Sequence, residues 1–215
     1  MWHSLGGAVA LAVALDYPES ISRLALIAPL THLQTEVPKA FRALVVRSAR
    51  ARRFMARTLA TPFALATSGP TLKAVFAPEA VPADFSTRGG ALLSLRPDGF
   101  YNASMDLVAL EDSPDITQME HRYAQLTVPV DVLFGREDVV LNWMRHGDAL
   151  RRRSPRVTLK VVSGGHMLPV TAPMTTIDWL RAVIAGTTQD EVAVEQRDSV
   201  PTPVIETPLH SHPAT

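Results

Sequence analysis

The chain has 215 residues, 47% of them hydrophobic and 20% charged, the balance of one globular domain or slightly more. Its 21 basic side chains are matched by 21 acidic ones, so it lacks the basic excess with which a dedicated nucleic-acid binder neutralises phosphates. It contains no cysteine, which excludes disulfides, zinc–thiolate and iron–sulfur centres and a thiol nucleophile.

Residues 4–17, SLGGAVALAVALDY, are almost continuously apolar and rich in alanine and leucine, both strong helix formers. Apolar character all round predicts a buried helix, packed closely through its small side chains and stopped at Pro18. The longest apolar run, Ala8–Leu15, is about half of the roughly 18 residues a membrane span requires. Ser22–Pro29 reads as a short buried strand, although periodicity alone leaves helix open. From about Leu30 to His121 arginine, alanine and leucine dominate, and prolines at 38, 62, 70, 78, 82, 97 and 114 punctuate several short helices. The clearest of these is Lys39–Thr58, which carries Lys39 and Arg42, Arg47, Arg50, Arg52, Arg53 and Arg57. Such a basic amphipathic helix can rest on an anionic membrane; the plainer reading is a solvated cationic face.

Regular alternation then resumes, with a strand over Val128–Phe134, a helix over Leu141–Arg152, a strand over Arg156–Val162 and a helix over Pro173–Ile184 with Gly186 beyond its end. Strands alternating with helices imply a parallel sheet with right-handed crossovers. The polar stretch Thr187–Thr215, with Pro201, Pro203, Pro208 and Pro213, predicts a disordered tail. The expected organisation is a first core part over 1–30, a helical insertion over 31–121, a second core part over 122–186 and the tail over 187–215.

Three segments can carry chemistry. In His3-Ser4-Leu5-Gly6-Gly7 a serine stands at the head of a helix, where a sharp strand-to-helix turn pushes its hydroxyl outward and needs small neighbours. The amide of Leu5 then lies at the helix N-terminus, where N–H groups and the dipole favour a negative oxygen. Gly135-Arg136-Glu137-Asp138 follows a strand, at the end where open α/β sheets place functional loops. Gly164-Gly165-His166 follows the next strand, and an imidazole, with its pKa near neutrality, can take a proton and return it.

In that order the chain resembles the catalytic half of an α/β-hydrolase fold protein. The resemblance covers residues 1 to about 185 and implies a serine hydrolase, esterase- or lipase-like. Ser4 is then the nucleophile, His166 the general base and acid, Asp138 the residue orienting it, and the Leu5 amide half of the oxyanion hole. It implies a small acyl substrate, no metal and no organic cofactor, and places the 31–121 insertion as a cap. A serine at that position disfavours the carboxylate-nucleophile members, the haloalkane dehalogenases and epoxide hydrolases.

Two departures shape the expectations. Trp2 stands where the family's G-x-S-x-G has its first glycine, which predicts a distorted turn. The serine is residue 4, so the leading strands and the loop giving the second oxyanion amide are missing. That implies an upstream-truncated chain with a parallel sheet of about three strands, and an open edge on the strand Leu24–Ala28. Losing one oxyanion donor costs about 2.7–4 kcal/mol of transition-state stabilisation. The alternative function is therefore an inactive fragment serving as an association module, its protein partner unknown. The lack of a leader-like segment points to the cytoplasm, an inference that weakens when the front of the fold is missing.

Rival residues receive plainer readings. His3 is a packing or hydrogen-bonding residue of the turn. Asp131 falls inside a strand as an edge or polar-contact residue, and Glu137 points to solvent. His121 and His146 are surface histidines, and the His210/His212 pair in the tail arises by chance rather than as metal ligands. Met55, Met105, Met119, Phe63, Phe76, Phe85, Phe100 and Tyr101 either line a substrate pocket or form the core of the insertion.

Overall fold

The computed structural model describes residues 1–33, 39–91, 93, 96–112 and 115–190. Its centre is a four-stranded, wholly parallel sheet in the spatial order β1 (Trp2–His3), β2 (Leu24–Ile27), β3 (Val130–Gly135), β4 (Val157–Val162). The register pairs Trp2 with Leu26, Leu24 with Val130, and Val130 with Val157. α1 (Leu5–Asp16) connects β1 to β2. The link from β2 to β3 contains α2 (Ala49–Thr58), α3 (Ala60–Phe76), α4 (Pro97–Asp112) and α5 (Asp115–Arg122). A π-helical turn (Met144–Asp148) and α6 (Ala149–Arg153) connect β3 to β4, and α7 (Leu168–Thr171) and α8 (Pro173–Ala185) follow.

Burial follows position in the sheet. β3 is central and buried along its whole length, so it reads as a nearly unbroken apolar run. β4 alternates, turning Val157, Leu159 and Val161 inward. The core cluster joins these strands to Leu11 and Ala14 of α1 and to Trp179 and Val183 of α8. Met119 of α5 belongs to the same cluster, whereas α2, α3 and α4 share a small one of Ala56, Ala60 and Phe100. Phe76 is also buried, but Phe63 and Met105 are exposed.

Several expectations are corrected. The sheet has four strands where about three were expected, because Trp2 and His3 pair in parallel with Leu26 and Ile27 and cover that half of the edge expected to be open. α1 is not buried all round: Gly7, Ala8, Ala10, Leu11 and Ala14 face inward, while Val9 is 52% exposed and Val13 also faces outward. The helix expected over Lys39–Thr58 is two pieces, a 3-10 turn at Lys39–Leu44 and α2. Ser48 caps α2 by accepting from Ala51 N, and the buried Arg52 guanidinium holds the break by donating to Val46 O and Ser104 Oγ. Arg52 therefore faces inward, leaving Arg50, Arg53 and Arg57 around the exposed Phe54. The helix expected over Leu141–Arg152 begins later and opens with the π-helical turn.

The first residues assigned to the tail are ordered. Asp190 accepts from Leu159 N at 2.8 Å on the outer side of β4, and Thr188 donates to Asp131. Residues 191–215, with His210 and His212, lie outside the described residues. Among the described residues no helix is long and apolar enough to cross a membrane.

Candidate active site

The chain reverses between β1 and α1 at a single residue, Ser4, with φ 53° and ψ −125°. A positive φ is strained for a side chain with a Cβ and persists only where the surroundings enforce it. Three backbone bonds do so: Ser4 N donates to Ile27 O at 3.1 Å, and Ser4 O accepts from Gly7 N at 2.9 Å and Leu30 N at 3.0 Å. Gly7 is required by close approach, since a Cβ there would lie 2.4 Å from Pro29 Cβ. Trp2, expected to distort the turn, is placed at its outside. Its side chain is 48% exposed and lies over Gly6, where a Cβ would come 3.2 Å from Trp2 Cε3, so the bulk sits outside the turn.

Asp138 follows β3 in the Gly135–Asp138 turn and is buried. Its Oδ1 accepts from Val140 N and Leu141 N, each at 2.8 Å, which aims Oδ2 at His166 Nδ1, 2.7 Å away. A carboxylate only accepts, so Nδ1 of the buried His166 donates in this bond and Nε2 is the ring nitrogen left for other partners. The loops after β3 and β4 are tied together. Arg136 N donates to Val162 O, Glu137 N donates to Gly164 O, and Gly164 N donates to Glu137 Oε2 at 2.6 Å. Glu137 is thus exposed as expected but also holds the loop that bears His166. Gly164 has φ +128°, a path that glycine permits.

β1 and β4 lie three strand positions apart, roughly 14 Å at about 4.8 Å per step. The loop bearing His166 reaches back towards β1 as far as His3, with no hydrogen bond joining the Ser4 hydroxyl to His166. His3, next to Ser4, donates from Nε2 to His166 O at 3.0 Å, and the two rings stand 4.8 Å apart. Burial, then the neighbouring His166, pushes the His3 pKa down. His3 is therefore the packing and bonding residue it was expected to be. Ser4, Asp138 and His166 all follow carboxyl ends of parallel strands, so they share one rim of the sheet.

The other acidic candidate sits at the opposite end. Asp131 is buried, paired with Arg23 at 2.8 Å, and accepts from Thr158 Oγ1 at 2.6 Å. It is the polar contact expected. His121 is exposed, but His146 corrects the expectation of a surface residue. Its ring is fully buried, Nδ1 accepts from Thr31 N at 3.2 Å, and burial lowers its pKa to about 3. Beside it are the buried His32 and Tyr123, whose hydroxyl donates to Thr31 O and whose pKa burial raises. Among the described residues no group of three or more histidine, aspartate or glutamate side chains could hold a metal ion.

Residues 3–173 match the profile described as alpha/beta hydrolase fold. A Cronobacter turicensis protein that bears the name of a carbamate hydrolase, RutD, is 30% identical over 195 residues, covering 86% of this chain and 65% of that protein. The structure of a thermophilic esterase from Thermogutta terrifontis superposes with a TM-score of 0.58 at 20% identity, over 86% of this chain and 63% of the esterase. An enol-lactonase from Burkholderia xenovorans gives 0.54 at 19%, over 85% and 64%. The chain thus spans just under two thirds of the length of each.

Proposed function

The chain belongs to the alpha/beta hydrolase fold family, and on that premise we propose that it carries a serine-dependent hydrolase site for carboxylic esters or related acyl substrates. The observation that carries this reading is the 2.7 Å bond between Asp138 and His166, set on the same rim as a serine held at positive φ.

In this reading the helical segment between β2 and β3 is a cap, and the chemistry is stepwise. His166 Nε2 takes the proton of Ser4 Oγ as the oxygen attacks the substrate carbonyl, and Asp138 stabilises the imidazolium. The negative oxygen of the tetrahedral intermediate faces the Leu5 N–H at the head of α1. The intermediate collapses, breaking the bond to the leaving group, which receives the proton from His166. Water, deprotonated by the same histidine, then attacks the acyl-serine; Ser4 recovers its proton and the acid is released. The name of the 30% identical relative extends the substrate range to carbamates, whose carbonyl is open to the same attack.

Labelling of the folded chain by a fluorophosphonate tests this reading. Label on Ser4, lost in Ser4→Ala, is the expected result; folded protein that takes no label overturns it. A comparison of p-nitrophenyl esters with aryl carbamates then ranks the substrates. One observation favours a second reading, an association module without turnover. The outer face of β1 and α1 exposes Met1, Trp2, Val9, Val13 and Tyr17, an apolar surface of the kind that marks an interaction site.

A further inference from the structure

The turn after α3 reaches across to the loop that presents the base. The Glu79 carboxylate accepts the N–H of Gly165 on both oxygens, at 3.0 and 3.2 Å, and Gly165 immediately precedes His166. The carboxylate is carried by an anchored turn. Glu79 N donates to Phe76 O at 2.9 Å, and the fully buried Phe76 meets Phe85 edge-on at 4.7 Å between ring centroids. The fit leaves no slack, because a Cβ on Gly165 would lie 2.2 Å from Ala77 O and 2.8 Å from Glu79 Oε2. On the preceding residue, Gly164 N is taken by Glu137. Two carboxylates therefore hold consecutive amides of the base loop, one from the loop after β3 and one from the helical segment. Charge-assisted bonds of this kind are the stronger ones, and a buried amide left unpaired is costly.

We propose that Glu79 is a positioning residue for His166. It fixes the path of Gly164-Gly165 and so the direction of the imidazole, which makes the alignment of the base depend on the helical segment being seated on the sheet. This inference rests on the reading of Ser4, His166 and Asp138 as a hydrolase site.

The test compares the full chain with Glu79→Ala, Glu79→Gln and Glu79→Asp. Two readouts are taken: the fluorophosphonate labelling rate as a function of reagent concentration, and the low-field proton resonance of His166 Nδ1, assigned by its loss in His166→Gln. Misplacing a reacting group by about 1 Å can cost on the order of 100-fold in rate. The Ala variant should therefore lose about 100-fold in maximal labelling rate, with little change in reagent affinity, and its Nδ1 resonance should shift or broaden. Gln keeps an acceptor oxygen at the same reach and should recover most of the rate, whereas Asp, one methylene short, should resemble Ala. An Ala variant with the native rate and resonance overturns the proposal. If Ala does not fold, the order of the other two decides, and Asp outperforming Gln overturns it. Native protein that takes no label while its resonance still responds to Glu79 defeats the hydrolase reading and leaves the loop-positioning role supported.

Discussion

The two ends of the central strand each hold a buried aspartate, and the two differ in the company they keep. Asp131, near the amino end, is closed off by a fixed cation, Arg23, and by the hydroxyls of Thr158 and Thr188. Asp138, just past the carboxyl end, spends one oxygen on two backbone amides and points the other at an imidazole. Arginine cannot give up its proton in a protein, whereas histidine exchanges one near neutrality. The difference separates a carboxylate that holds structure together from one that can serve a reaction, although both are buried and bonded.

Three experiments bear on that contrast. The largest effect is expected at the functional end. Asp138→Asn keeps an oxygen for Val140 N and Leu141 N but no longer enforces the tautomer, and should slow Ser4 labelling about 10⁴-fold while leaving the urea midpoint near native. At the structural end, Asp131→Ala should lower the unfolding free energy by about 2–3 kcal/mol. That is modest for breaking a buried pair, because the Arg23 side chain is 32% exposed and can turn to water. Labelling per folded molecule should not change, and a fall there would erase the distinction.

The smallest effect is a slope. His146 is held neutral by burial, with its pKa at about 3 in the fold against an ordinary 6.5. As pH falls below the ordinary value the unfolded chain takes up the proton first. The contribution is therefore whole above about pH 6.5 and is lost towards pH 3, at up to about 1.4 kcal/mol per pH unit. His146→Asn, which offers Thr31 N another acceptor, should flatten urea-derived stability against pH over that window. His3 and His32, also lowered by burial, sustain the remainder. An unchanged slope would show that His146 is not the group responsible.

Much of this site could be read from the chain because its signals are local. Glycines and a polar residue directly after an apolar run mark the ends of β3 and β4, and the serine stands at the head of an alanine-rich helix. What could not be read depends on distant partners or on pieces too short to show a period. Two residues, Trp2 and His3, make a strand only because Leu26 and Ile27 lie alongside. His146 looks like a surface residue until Thr31, 115 positions earlier, supplies its hydrogen bond. Glu79 lies 86 positions from the amide it holds, and the α3 turn that carries it shows no motif. The break before α2 likewise depends on Arg52 meeting Ser104 across the bundle.

Gly135 has a further consequence. A Cβ there would lie 2.2 Å from Gly164 O and 2.3 Å from Gly165 O, so the two loops meet main chain to main chain. The loops that bear Asp138 and His166 therefore approach as closely as bare main chain allows, and the Glu137 and Glu79 carboxylates act on a separation that glycine at position 135 already sets. Even one methyl group at position 135 would force the two loops apart.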